Sequence, residues 1–151
     1  MGTFDFWQRW LVVVCIVFSG IGLLVATLNA LPVFGPWNDG FDTVFAESER
    51  LGAEAQAVKS FLLGPLGGTI LGFFVLSGFV AAGPFKRREP WAWWALATSL
   101  VSWFVLDSAV SIAHGAWFNV VLINCVTLLA EGLPLLMTYR AFLNRGAVLS
   151  P

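Results

Sequence analysis

Apolar residues along this chain gather in four runs, residues 7–31, 59–82, 91–113 and 117–139, with polar residues collected in the gaps. An α-helix needs ~20 apolar residues to cross the hydrocarbon core of a bilayer, at ~1.5 Å rise per residue. Each run is long enough. The pattern predicts an all-α fold: a four-helix transmembrane bundle, with residues 1–151 as a single integral membrane domain. A long outer loop, residues 32–58, joins helices 1 and 2. Within it the residues predict a turn-rich part around Pro36, Asn38, Asp39 and Gly40, then a short surface helix over 45–61. Only residues 114–116 connect the last two runs, with Gly115 at the turn, so these spans form a tight antiparallel hairpin. Pro65 marks either the true start of the second span or a local kink.

Small residues recur at helical spacing inside two of the runs. Cys15, Ser19, Gly22, Ala26 and Ala30 share one face of the first. Gly64, Gly68 and Gly72 form two overlapping G-x-x-x-G steps in the second, with Gly67 and Gly78 nearby. Such faces let backbones approach closely, which drives helix association where lipid offers no hydrophobic contrast. They are the candidate helix-packing residues, toward the first span or toward another subunit.

Composition agrees with the pattern. Hydrophobic residues make up 58% of the chain and charged residues 11%, against ~25% charged in a soluble domain. The net charge of −1 gives no electrostatic case for nucleic acid. Cys15 and Cys125 both fall inside spans without a C-x-x-C pattern and read as packing residues. The first apolar run exceeds the ~7–15 residues of a signal-peptide core and reads as uncleaved.

Charge then orients the spans. Arg9, Lys86, Arg87, Arg88, Arg140 and Arg145 fall on one side of a chain that crosses four times. Asp39, Asp42, Glu47, Glu49 and Glu54 fall on the other, with Arg50 alone against them inside the loop and Lys59 at its far edge. The positive-inside rule predicts both termini in the cytoplasm and the acidic loop outside. Trp7, Trp10, Trp37, Trp91, Trp93, Trp94 and Trp117 lie near span ends and read as interfacial anchors.

Candidate chemistry is confined to polar residues inside the membrane. Asp107 lies in the third span and Glu131 in the fourth, and ionisable groups at such depth are rare and face the bundle interior. Trp103, Asp107, Ser111 and His114 share one helical face; Asn124, Thr127 and Glu131 share another. Depth counted from the 114–116 turn pairs Asp107 with Asn124, and also favours Ser111. It places Glu131 roughly 10 Å deeper, too far for a carboxylate pair. His114 sits at the outer mouth with Asn119 nearby. The candidate intramembrane polar site is therefore Asp107, Ser111, His114, Asn119, Asn124 and Glu131. Gly132 and Pro134 break the fourth span beside Glu131, and Pro134 frees the carbonyl of Ala130. A single histidine does not make a metal site. No G-x-S-x-G, H-E-x-x-H or Walker pattern is present, so no catalytic residue, metal or cofactor is predicted.

Two stretches carry a resemblance: Gly64-Pro65-Leu66-Gly67-Gly68-Thr69 and Pro84-Phe85-Lys86-Arg87-Arg88-Glu89-Pro90-Trp91-Ala92-Trp93. It continues through Trp103-Phe104, Asp107-Ser108, Ser111, Gly115, Phe118-Asn119, Asn124 and Leu133-Pro134-Leu135. Over about half the chain this resembles a group of small, uncharacterised four-span bacterial inner-membrane proteins. The resemblance implies a fold and the inner (plasma) membrane, and brings no catalytic residue with it. A looser similarity to DoxX-like proteins and to sterol-isomerase-like receptors rests on span count alone.

The expected function is a non-enzymatic multi-pass membrane protein, either an accessory or structural subunit or a binder of a lipid-like ligand. Its partners are then membrane lipid and a homo-oligomer or larger membrane complex. Two alternatives stand beside it. One is a small proton- or ion-coupled transporter using Asp107 and Glu131. The other is a membrane-embedded enzyme acting on a lipid or isoprenoid, with one of those carboxyls as acid. A polar cavity reaching Asp107 favours a ligand site or an enzyme; a dry interior with both carboxyls hydrogen-bonded favours a structural role.

Overall fold

The computed structural model describes residues 2–46 and 49–146, with side chains as far as Phe142. Glu47 of the acidic loop and the side chain of Arg145 lie outside the described residues. All regular structure among the described residues is helical. Helix α1 is Thr3–Leu28, α2 is Gly35–Phe45 after a 3-10 turn at Pro32–Phe34, and α3 is Ala53–Val80, prolonged by a π-helical turn at Ala81–Phe85. Helix α4 is Pro90–Ala113. Helix α5 runs on through Trp117–Asn119, a π-helical stretch Val120–Asn124, and Cys125–Gly146.

Four segments are long and apolar enough to cross a membrane: Thr3–Leu28, Ala53–Phe85, Pro90–Ala113 and Trp117–Phe142. The architecture is an all-α four-helix bundle, compatible with a multi-pass integral membrane protein. Gly115 closes the α4–α5 hairpin with φ +72°, a conformation that L side chains rarely adopt. The start of α1, the Ala81–Phe85 turn and the end of α5 meet at one end. There Phe4 stacks on Phe85 with centroids 5.9 Å apart, and Phe85 lies 4.8 Å from Phe142. Arg88, at φ 59°, lays its guanidinium 4.4 Å from the centre of the Phe4 ring. Beside it, Arg87 and Trp91 both donate to the carboxylate of Glu89, at 2.6 and 2.7 Å. These two bonds, the arginine's first, hold the Glu89 carboxyl below the usual glutamate range. This end carries the basic turn and is called the basic end below.

The outer connection differs from the sequence expectation. Its turn-rich part is helix α2, and the surface helix expected over 45–61 is instead the start of α3 from Ala53. Pro36 occupies the first turn of α2, where no backbone N–H is needed. Trp37, Phe41 and Phe45 then follow at i, i+4 and i+8, a single aromatic stripe that needs a surface to cover. Pro65 lies inside α3 and does not start it. At 33 residues, Ala53–Phe85 is roughly 50 Å long, against ~30 Å of hydrocarbon. Its first turns therefore overreach the bilayer core, and α2 leans on them: Lys59 Nζ donates to Asn38 Oδ1 at 3.0 Å, and Asn38 Nδ2 to the Asn29 carbonyl at 3.0 Å.

Packing around the bundle is uneven. Helix α1 makes its widest contact with α3 and also meets α5, and α5 meets α4. Helices α3 and α4 make no extended contact beyond the Ala81–Phe85 turn. Only 17% of the apolar window of α4 is buried, against 28% for α1 and for α5, because α4 has a neighbour on one flank only. Two separate cores result. Leu11, Phe85, Leu96, Leu100, Leu135 and Phe142 fill the basic end; Val25, Trp37 and Leu63 form a smaller core under α2.

The α1–α3 contact depends on two glycines. A Cβ on Gly67 would fall on the backbone of Gly22 and Ala26, and one on Gly22 would fall on Leu71 and Gly67. The expected stripe on α1 does face α3. On α3, however, the close approach is through Gly67, one position removed from the expected register. Gly64, Gly68 and Gly72 have open space where a Cβ would point.

Gly67→Leu should therefore force α1 from α3 and destabilise the fold by about 1–3 kcal/mol, the usual cost of overpacking. Gly68→Leu, one residue on, should leave the fold intact. Thermal unfolding of both variants in lipid nanodiscs checks this; equal melting of the two would contradict the contact.

Candidate functional site

Between the two cores lies a cavity of about 530 Å³, within the ~300–1,000 Å³ typical of small-molecule sites. Phe18 and Ile21 of α1 and Leu66, Thr69, Ile70, Phe73 and Phe74 of α3 form its apolar side. Trp103, Asp107, Val110, Ser111 and His114 of α4 face them, with Phe118, Asn119, Ile123, Thr127 and Glu131 of α5. Trp37, Phe41 and Phe45 of α2 roof it. Leu66 and Val110 line the cavity while 45% and 52% exposed. They stand on the two helices that do not close on each other. The cavity is thus a groove, open sideways between α3 and α4.

One residue joins the roof to the polar side of the cavity. Trp37 Nε1 donates to Asn119 Oδ1 at 3.1 Å, and Asn119 Nδ2 donates to Asp107 Oδ2 and to Ser111 Oγ, both at 2.9 Å. Asn119 so joins α2, α4 and α5 through a single amide. The aromatic stripe of α2 adds to the seal: Phe41 lies 5.3 Å from both Trp37 and Phe118, edge to face. Gly40 permits this approach, since a Cβ there would lie in the Phe118 ring.

The pairing expected between Asp107 and Asn124 is corrected here. Asp107 pairs with Asn119, while Asn124 Nδ2 donates to Ser108 Oγ at 2.9 Å. The depth count was sound, because Ser108 adjoins Asp107. The face was not. The π-helical stretch Val120–Asn124 puts an extra residue into its turn. This changes which residues look toward α4 on either side of it. Asn124 is fully buried, and its Oδ1 has no partner.

The remaining candidates fall as follows. Ser111 and His114 line the cavity with Asp107, as their shared helical face requires. His114 is exposed at the mouth, and its Nδ1 lies 2.9 Å from the Val110 carbonyl, so that nitrogen carries the hydrogen and Nε2 is left free. Glu131 is 4% exposed, lines the cavity, and makes no hydrogen bond or ion pair among the described residues. Asp107 and Glu131 share the cavity without pairing. The Ala130 carbonyl freed by Pro134 is taken by Trp10 Nε1 at 3.0 Å, so this tryptophan ties α1 to α5 rather than serving only as an anchor. Trp93 Nε1 donates to the Leu135 carbonyl at 2.9 Å and ties α4 to α5. No group of three or more His, Cys, Asp or Glu side chains among the described residues is placed to hold a metal ion.

Sequence reasoning missed the roof and the apolar wall. The spacing of Trp37, Phe41 and Phe45 would have revealed the roof. The wall's one polar residue, Thr69, bonds its own helix at the Pro65 carbonyl and gave no sign of a site.

These features define a class: a four-helix bundle of membrane-spanning segments around a laterally open, partly polar cavity. No protein-family profile, curated protein or solved structure matches the chain.

Asn119→Ala should loosen the roof. Loss of one net hydrogen bond of about 1 kcal/mol corresponds to roughly fivefold faster amide exchange across Gly35–Phe45. Ser108→Ala, which touches only the Asn124 bond, should leave that exchange unchanged. Hydrogen–deuterium exchange with mass spectrometry reads both, and an unchanged α2 in Asn119→Ala would remove Asn119 from this role.

Proposed function

We propose that this is a non-enzymatic multi-pass membrane protein that binds a lipid-like amphiphile, admitted sideways from the bilayer between α3 and α4. The observation that carries the reading is the groove itself: apolar walls open to hydrocarbon, with polar groups collected on the α4–α5 side. A purely structural bundle would close such a space, because interiors pack densely and an unfilled cavity costs stability. An apolar tail would lie against Leu66, Ile70 and Val110 at the lateral opening, and a polar head would turn to the polar side chains of α4 and α5.

Charge supports one orientation. Arg9, Lys86, Arg87, Arg88 and Arg140 lie toward the basic end, which the positive-inside rule assigns to the cytoplasm. Both termini are then cytoplasmic, and α2 roofs the groove on the outer face. The resemblance to four-span bacterial proteins supports an inner-membrane setting.

Ion-coupled transport is the second reading, and it draws on the placement of Asp107 and Glu131 along one cavity. It is less well supported. Between Glu131 and the basic end the core is mostly apolar, with Leu11, Phe85 and Phe142, and its buried polar groups there include Gln8 and Thr138, both bonded to backbone carbonyls.

A photoactivatable fatty alcohol in nanodiscs should label Leu66, Ile70, Phe73 and Val110 in the groove. Ile70→Trp should suppress that labelling by filling the space. Labelling spread evenly over the outer faces of α1 and α5, with none in the groove, would overturn the reading.

A further inference from the structure

Two polar side chains at the floor of the groove have no hydrogen-bond partner among the described residues. Thr127 and Glu131, at i and i+4 on α5, are each 4% exposed, and both line the cavity. Neither makes a hydrogen bond among the described residues. This is unlike the other buried threonine, Thr138, whose hydroxyl donates to the Pro134 carbonyl at 2.7 Å. A carboxyl group left alone among apolar walls is costly unless something pairs with it. The cavity supplies the shape of that partner. Its lining includes two carboxyl groups, Asp107 and Glu131, and neither lysine nor arginine; His114 stands apart at the mouth. Asp107 is met only by the neutral amide of Asn119. An anionic head group would therefore meet two carboxyls and no lysine or arginine, with hydroxyl donors to offset them.

The wall opposite Glu131 is aromatic. Phe18 and Phe74 lie 4.9 Å apart and Phe73 lies 5.2 Å from Phe74, all three on the cavity surface. Phe85 and Phe142 touch at the basic end, and Phe74 and Glu131 lie equally many residues along their helices from that contact. They therefore sit at nearly the same depth. Aromatic faces attract cations, most strongly when both are desolvated. A carboxyl across from a cluster of phenyl rings is a two-sided seat for a positive charge with apolar substituents.

We infer that the guest is a hydrophobic cation, an ammonium-type group on an apolar body, with Glu131 as its counter-ion and Phe18, Phe73 and Phe74 as its cage. The inference rests on the amphiphile reading above and names the chemical class that site selects. Thr127 offers its hydroxyl to the same group. Asp107, already bonded to Asn119, belongs to the mouth of the groove and not to the seat.

The test is competition against the photoactivatable fatty alcohol on the full chain, in nanodiscs of zwitterionic lipid. Dodecyltrimethylammonium, dodecanol and dodecyl sulfate share a tail and differ in head-group charge. The cation should displace groove labelling at a concentration at least tenfold below the other two. Glu131→Gln, nearly isosteric, should erase that preference, Glu131→Asp should keep part of it, and Asp107→Asn should keep most. Equal competition by all three heads on the unaltered chain would overturn the inference and leave amphiphile binding standing. A preference that survives Glu131→Gln would likewise overturn it. Absence of groove labelling in the unaltered chain would sink both readings together.

Discussion

Hydrocarbon cannot hydrogen-bond, so every polar group inside a membrane-spanning bundle must find its partner in the protein. That constraint explains most of the interior of this chain. The carbonyl freed by Pro134 is taken by Trp10, the carbonyl of Ala81 by Gln8 at 3.1 Å, and Asn119 satisfies three groups at once. These pairings also place the helices, since each of them bridges two elements. Against this background, the bare floor at Thr127 and Glu131 stands out as a place where the interior is chemically incomplete.

The incompleteness follows from how the helices divide their contacts. Gly22 and Gly67 draw α1 and α3 into backbone contact, and Trp10 binds α1 to α5. The α4–α5 hairpin is closed by Gly115. Nothing comparable draws α3 to α4. The aromatic cluster around Phe85 pins all four helices at the basic end, and α2 spans them at the other, so the gap between α3 and α4 persists as a groove with a floor and a roof. An apolar groove facing water would be an interaction patch; facing lipid, it is where the proposed amphiphile would enter.

The spans, the tight hairpin and the polar face of α4 were legible in the sequence, because apolar run length and helical spacing act locally. Facing was harder. Gly64, Gly68 and Gly72 form the more conspicuous motif, yet Gly67 makes the contact. The inward register was available in Leu63, Gly67, Phe74 and Ser77, which are the buried positions of α3. Asp107 meets Asn119 and not the expected Asn124, with a π-helical stretch shifting the helical phase between the two, and no residue type announces such a stretch in advance. Helix α2 was hidden by Pro36, Asn38, Asp39 and Gly40, which favour turns singly, although its aromatic stripe covers the cavity collectively. The groove itself depends on two helices failing to meet, a property of the assembled bundle that no single segment records.

The central claim is that Glu131 faces an open groove and waits for a guest that the protein does not itself supply. An experimental structure of the chain in a lipid mesophase, resolved at side-chain level, tests it most directly. The account predicts that α3 and α4 stand apart above the Ala81–Phe85 turn, with density from lipid or ligand between them reaching Glu131. Helices α3 and α4 packed against each other, with the Glu131 carboxyl bonded to a protein group, would contradict it.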